Sequence, residues 1–421
     1  MVVYKFGGAS IKDAEAVKNM AKILSLREKK PCIIVISAMG KTTNSLEELC
    51  NSFYKNDAAT PFLLKEIKNR HLKVLNKLFE DEEHAVFKKV HSIFNQLEGF
   101  ISKKSKSPFD FIYDKIVSHG ELLSTTIISE YLNFQGIKNT WIDVREVIKT
   151  SSEHRDPKIN WNLTDTKVQE IIVPVLQKST DLIVTQGFLG STTEGHTTTL
   201  GREGSDFTAA IFSNILNAEK QVVWKDVPGI LNADPNQFQE AVKIDKLSYD
   251  DAVEMTFYGA TVIHPKTIKP LQNKNIPLYV QSFLNPGSKG TTILNSTSRE
   301  EKVPIIILKK NQIILRISTK DFSFMAEDNL SFIYKIFDKL RISITMTENA
   351  AISLTVCLDN NPGRINKLLE KLEDRYEISV LKNVEVLTVK NYNEDLIKKL
   401  TSHRIIRFEQ RRNDLIRFIL Q

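Results

Sequence analysis

The stretch GHTTTLGREGSDFTAAIFSNIL, residues 195–216, sets one guanidinium and one carboxylate close together: Gly201 and Gly204 bracket Arg202, and Ser205-Asp206 open an apolar run through Ala209, Ala210 and Ile211. That run predicts a helix, so both charges fall at a helix N-terminus. A guanidinium fork matches an α-carboxylate, and a nearby carboxylate suits an α-ammonium, so the loop fits an amino acid. A plain N-cap with an internal Arg202–Asp206 pair is the alternative, although three threonines and three glycines around one arginine exceed what a cap needs. The opening YKFGGAS adds Lys5 with Gly7 and Gly8 at the end of a predicted strand. Glycines admit backbone N–H groups to an anion and lysine supplies a point charge, which suggests phosphate. It is not a Walker A loop, since G-x-x-x-x-G-K-[ST] occurs nowhere in the chain.

Three further stretches carry both a chemical and a bland reading. VISAMGKTTN brings Ser37, Gly40 and Thr43 to a strand end, as ligand contacts or as capping hydroxyls. In VSHGELLSTTIISEYL, Ser118 and Glu121 satisfy the S-x-x-E capping-box spacing, so Glu121 either returns a hydrogen bond to its own helix start or accepts a ligand's ammonium. WKDVPGILNADPN presents Lys225, Asp226 and Asp234 to a nucleotide, or folds as Pro-Gly and Asp-Pro turns. His264, before Pro265, reads as a helix start.

The elements that must position these residues are short apolar runs alternating with helical-period stretches over residues 1–295: Val2–Phe6, Cys32–Ile36, Thr140–Val144, Leu182–Thr185, Val222–Trp224 and Leu278–Gln281. That alternation predicts an α/β sandwich around a mainly parallel sheet, whose carboxyl edge binds ligands. Residues 61–100, with Leu64, Ile67, Leu72, Leu75 and Leu78 near helical spacing, read as an accessory helical lobe. The polar LNPGSKGTTILNSTSREEK breaks the rhythm, and 296–312 reads as a linker. Beyond it, 313–380 gives a β-α-β-β-α order, and 381–421 reads as a second, abbreviated unit of the same α+β plan.

With 421 residues, 41% hydrophobic and 26% charged, the chain is an ordinary globular composition of two or three domains. Its formal charge of +7 comes from lysines interleaved with acids and lacks aromatic-punctuated basic runs, which argues against nucleic acid. Cys32, Cys50 and Cys357 lie far apart, excluding a disulfide framework and a cysteine-rich metal site. No run approaches a membrane span and nothing resembles a signal peptide, so the expected location is the cytoplasm.

Taken in order, these stretches resemble the aspartate kinases of the amino acid kinase superfamily. K-F-G-G-x-S at the start, Gly120-Glu121, T-T-L-G-R-x-G-S-D at 198–206, D-V-P-G-I at 226–230 and FYGATVIHPKTI at 257–268 all match, over essentially the whole chain. The resemblance implies that family's three-layer sandwich followed by ACT-like (ferredoxin-like) regulatory units. It also implies ATP-dependent phosphorylation of the aspartate side-chain carboxylate, the first step toward lysine, threonine and methionine. Lys5 and Asp206 would be catalytic, and Ser37, Thr43, Glu121, Arg202 and Asp206 would bind aspartate. Lys5, Phe6, Gly7, Gly8, Lys225, Asp226, Leu231 and Asn236 would hold ATP. Mg²⁺ would arrive with ATP rather than on protein ligands, and the ACT-like units would form a homodimer.

Some positions depart from the family pattern. Asp328, Asn329, Thr345, Ala350 and Ala351 stand where lysine-sensitive relatives carry Gly, Phe, Asp, Ser and Glu, which implies weak or absent lysine feedback. Glu203 replaces a third glycine, and Thr261 and Asn236 replace basic ATP contacts. A catalytically silent amino-acid sensor is the competing reading from another class, and intact Lys5, Glu121, Arg202 and Asp206 count against it.

Overall fold

The computed structural model describes residues 1–103, 105–178, 182–260, 263–296 and 303–421; Thr261 and residues 297–302 of the expected linker lie outside these. The chain divides into two compact units, one of residues 1–230, 243–253 and 262–298, the other of 231–242, 254–261 and 299–421. The second unit therefore takes two segments from the span expected to be wholly catalytic.

The first unit holds strands β1 (Val2–Phe6), β2 (Cys32–Ile36), β3 (Asn139–Ile142), β4 (Leu182–Gln186), β5 (Leu189–Ser191), β6 (Thr197–Thr199), β7 (Lys220–Lys225), β8 (Lys246–Ser248), β9 (Leu278–Ser282) and β10 (Thr291–Leu294). Eight of them form one sheet in the order β3-β4-β2-β1-β7-β9-β10-β8. The pairs from β3 through β9 are parallel, and β10 runs antiparallel to β9. As in other sheets covered on both faces, the strands read as apolar runs such as CIIVI and LIVTQ, each buried throughout. Several strand ends differ from the sequence expectation by a residue or two, and two differences have a clear cause or consequence. Asp143 caps a helical turn by accepting the Arg145 N–H, so β3 stops at Ile142. Thr291–Leu294, inside the polar stretch, pairs as β10.

One sheet face, carrying Val2, Ile34, Ile36, Val184 and Trp224, packs in a single core with α1 (Ala14–Ser25), α2 (Thr42–Tyr54), α3 (Thr60–Leu78), α4 (Ala85–Ile101), α5 (Phe109–Val117) and α6 (His119–Phe134). The expected accessory lobe, α3 and α4, is thus part of that core, with Leu64, Ile67, Leu75 and Leu78 buried and Leu72 partly so. Short helices α7 (Val144–Val147), α8 (Trp161–Lys167) and α9 (Val173–Lys178) follow. The opposite face, with Val3, Ile33, Val35 and Val223 fully buried, meets α10 (Gly204–Ile215), which contacts β1, β2 and β7. Next come α11 (Tyr249–Phe257) and α12 (Pro265–Gln272), the latter capped by His264, whose Nδ1 accepts the Lys266 N–H.

The two α+β units expected here share one antiparallel sheet. Strands β11 (Ile305–Thr319), β12 (Ile344–Asn349), β13 (Ser353–Asp359), β14 (Tyr376–Lys390), β15 (Ile406–Arg411) and β16 (Leu415–Leu420) lie in the order β12-β13-β11-β14-β16-β15. Helices α13 (Glu327–Lys339) and α14 (Pro362–Leu372) cover one half, with a core of Ile313, Leu315, Ile317 and Val356. α15 (Glu394–Thr401) covers the other, over Leu387, Val389, Ile416 and Phe418. The expected linker is shorter than read, because Ile305–Lys309 already pairs with Val386–Lys390. Polar Lys309-Lys310-Asn311 imitates a loop but forms a bulge, marked by a register shift and by Asn311 at φ +55°. The second unit of the pair looks abbreviated in sequence because one of its strands comes from ahead of the first.

Among the described residues no helix is long and apolar enough to cross a membrane.

Candidate functional site

Register places the site. Phe6 pairs with Ile36 and Trp224, and Ile36 pairs with Gln186. The residues that follow, Gly7, Ser37, Gly187 and Lys225, therefore emerge level with one another at the carboxyl edge of four parallel strands. Phe6 itself points into the core and stacks on Trp224, with ring centroids 6.0 Å apart.

Lys5 lies on the α10 face of β1. Its ammonium is 3.0 Å from Asp206 Oδ1 in the first turn of α10, and the two residues are only 7% and 5% exposed. Asp206 Oδ1 has no aligned hydrogen-bond donor, so the contact is one of charge. The alternative pairing, Arg202 with Asp206, does not form. Arg202 is exposed and carries no ion pair among the described residues.

Close backbone approaches lock the loops together. A Cβ on Gly8 would lie 2.8 Å from both the Ala38 and Gly40 carbonyls, and the Gly40 N–H donates to the Gly8 carbonyl at 3.0 Å. A Cβ on Gly187 would lie 2.4 Å from Ser205 Cβ, which fixes the start of α10 against β4. These two glycines are required by space rather than by backbone angle.

Glu121, in the first turn of α6, is not a capping residue. Ser118 has helical backbone angles and donates to the Lys115 carbonyl at 3.1 Å, leaving no box to close. The Glu121 carboxylate is instead buried, Oε1 accepts the Ala38 N–H at 3.0 Å, and Oε2 has no partner. Burial pushes its pKa up to about 8, with the Ala38 N–H pulling the other way. Ser124 Oγ, one turn on, donates to the Ser37 carbonyl at 2.7 Å. Thr43 stands half-buried in the first turn of α2.

Glu203, where a glycine was expected, has φ +53° and is the residue that turns the loop into α10. Its Oε2 accepts the His264 N–H at 2.7 Å.

The proposed nucleotide residues are split. Lys225 ends β7 and Asp226 is exposed after it, both in the first unit. Leu231 and Asn236 belong to the second unit, where Asn236 donates to Asp234 Oδ1 through its N–H at 2.9 Å and Nδ2 at 3.0 Å, the turn reading of that stretch.

Asp114 was not singled out in the sequence. It is fully buried on α5 and accepts three hydrogen bonds: His154 Nδ1 at 2.8 Å, the Arg155 N–H at 3.1 Å and Thr199 Oγ1 at 2.5 Å. It thereby ties the 154–156 loop to β6, and that loop packs on Gly201 beside Arg202. A lone aspartate amid FIYDKIV, at a position buried with Tyr113, Ile116 and Val117, was the available signal.

The sequence profile described as "Amino acid kinase family" matches residues 1–282. Over 365 residues the chain is 30% identical to lysine-sensitive aspartokinase 3 of Escherichia coli (strain K12), spanning 85% of this chain and 78% of that one. The chain belongs to the amino acid kinase family, in its aspartokinase branch. It is also 30% identical over 414 residues to the chloroplastic aspartokinase 1 of Arabidopsis thaliana, covering 92% and 70% of the two chains. The crystal structure of E. coli aspartokinase III with aspartate and ADP (R-state) superposes with a TM-score of 0.83 at 26% identity, over 100% of this chain and 96% of that one. The three-layer sandwich and ACT-like sheet expected of an aspartokinase are those found.

Proposed function

We infer that this aspartokinase transfers the γ-phosphoryl group of ATP to the side-chain carboxylate of L-aspartate, giving an acyl phosphate. The observation that carries the reading is the buried Lys5–Asp206 pair at the carboxyl edge of the parallel sheet. Phosphoryl transfer asks the protein mainly for positioning and for charge aimed at the moving group. Lys5, held by Asp206, supplies that charge beside Gly7 and Gly8. The attacking carboxylate is ionised at neutral pH, so no general base is needed.

Glu121, with Oε2 unpartnered, and Asp206 are proposed to take the substrate ammonium. Arg202, exposed, takes the α-carboxylate, and Ser37 and Thr43 line the same pocket. In the first unit Lys225 and Asp226 remain proposed nucleotide contacts, together with Lys5, Phe6, Gly7 and Gly8; in the second unit Leu231 and Asn236 remain proposed contacts in their own right. Phe6 contributes through its backbone, since its ring is buried. Mg²⁺ enters as Mg–ATP. Among the described residues no group of three or more His, Cys, Asp or Glu is placed to hold a metal.

The ACT-like sheet is the proposed homodimer surface, and lysine feedback is proposed to be weak. Asn329 is occupied within its own unit, accepting from Tyr376 OH at 2.7 Å and donating to the Phe324 carbonyl at 3.1 Å. Lysine inhibition at micromolar concentration would refute that part.

The test of the reaction is purified protein with ATP, Mg²⁺ and aspartate, glutamate or acetylglutamate, trapping acyl phosphate as its hydroxamate. Turnover with aspartate alone is expected; binding without turnover would make the chain a sensor instead.

A further inference from the structure

On the face of the ACT-like sheet opposite α13, α14 and α15, the side chains of Cys357, Val386 and Ile419 form an apolar cluster. Side chains alternate along β16, so Arg417 shares the face of Leu415 and Ile419. It is 6% exposed. Its Nη2 donates to the Thr345 carbonyl at 2.7 Å, its Nε lies 3.4 Å from Thr388 Oγ1, and its Cζ sits 4.7 Å from the centre of the Tyr258 ring. None of these partners is an anion, and no carboxylate pairs with it among the described residues. Burial works hardest against its charge, Tyr258 and Cys357 pull the other way and the Arg412 guanidinium adds a smaller repulsion, yet an arginine does not shed its proton. A buried cation normally has a counterion.

Arg417 lines a cavity of about 330 Å³ whose walls all belong to the second unit. Arg412 lines it too, as do Phe257, Tyr258, Tyr334 and Thr345. The charge asks for an anion, and two guanidiniums suit a carboxylate or phosphate. The volume and the aromatic walls ask for more than a bare ion. None of the lining residues is assigned to the kinase reaction.

We propose that this cavity binds a small organic anion, a carboxylate or phosphate bearing an aromatic or apolar group, with Arg417 and Arg412 holding its charged end. Calorimetric titration of the full chain with phenyl phosphate, phenylacetate, inorganic phosphate and uncharged benzyl alcohol tests it. Phenyl phosphate or phenylacetate is expected to bind, the tighter of the two naming the head group, while benzyl alcohol does not. Arg412→Gln, at an exposed position, is expected to weaken binding about tenfold with melting temperature and turnover unchanged. Arg417→Lys, which keeps the charge and loses the fork, is expected to weaken it as well. No binding by either organic anion up to about 10 mM overturns the proposal. So does affinity unchanged in both variants, or affinity lost in Lys5→Ala, which would place the probe in the kinase site. Inorganic phosphate binding as tightly as phenyl phosphate would overturn the organic part.

Discussion

Both units bury cations: the ACT-like unit pairs its Lys390 with Glu254, and the instructive contrast is between Lys5 and Arg417. In the kinase unit Lys5 sits 3.0 Å from Asp206, so the protein supplies its own counterion. In the ACT-like unit Arg417 is equally buried but leans on a carbonyl, a hydroxyl and a ring. The kinase unit also holds the inverse case, a buried Glu121 carboxylate with one oxygen unpartnered. A charge completed by the protein is fixed in place to act on something transient. A charge left incomplete is costly to bury, and that cost is the ground for proposing a ligand of the opposite sign there.

Breaking the completed pair should have the largest effect. Lys5→Ala removes charge from the proposed phosphoryl site and is expected to lower kcat by about 2–4 kcal/mol in barrier terms. It also strands Asp206, so the melting temperature should fall. Adding Asp206→Asn to the Lys5 variant should restore much of that stability and none of the turnover. Recovery of turnover in the double variant would show that Lys5 serves only the fold. Arg202→Ala, in contrast, has no buried partner to strand. It should raise KM for aspartate by about 2–4 kcal/mol at unchanged melting temperature. A fall in kcat with constant KM would remove Arg202 from substrate binding.

These contrasts also show what the sequence made legible. The Arg202–Asp206 loop stood out because guanidinium, carboxylate and glycines gather at a predicted helix start. The partner of Asp206 was not legible, since Lys5 and Arg202 are both cations and only the side of β1 facing α10 decides between them. Glu121 was ambiguous for a different reason. S-x-x-E spacing is the same for a cap and a ligand site, and the answer lay in Ser118 having helical backbone angles. Asp114 gave one weak signal because its three partners lie 40 to 85 residues away. In the ACT-like unit the order of elements was readable, but β11 and β14 each run fifteen residues through polar patches that imitate breaks.

The Glu121 carboxylate, partnered at one oxygen only, yields a pH signature. Glu121 is raised by burial from 4.5 to about 8 in the folded chain. Between those values the folded state holds a proton that the unfolded state has released, so this group's contribution to stability is full below pH about 4.5 and is lost as pH rises through about 8. An aspartate ammonium at Oε2 would favour the ionised form, so binding expels the proton. KM for aspartate is therefore expected to fall from pH 6 toward pH 8 and level off above, a slope of at most about tenfold per unit. Glu121→Gln should flatten that slope and raise KM while keeping the Ala38 hydrogen bond. A variant that retains the slope would assign the titration to another group.

Glu203 offers the smallest and sharpest comparison, because it places a third carboxylate near the proposed substrate loop. Glu203→Gly relieves a left-handed backbone angle that costs a non-glycine residue about 1 kcal/mol. It also deletes the hydrogen bond to the His264 N–H, worth a similar amount. Stability should therefore change by less than about 1 kcal/mol, a melting shift of a few degrees at most. Glu203→Gln separates charge from geometry, since it keeps an acceptor for His264 and the same backbone angle. If the Glu203 carboxylate competes with the substrate for Arg202, both variants lower KM for aspartate by about threefold. A lower KM in Glu203→Gly alone would trace the effect to loop geometry, and unchanged KM in both would leave Glu203 as the tie that holds His264 at the start of α12.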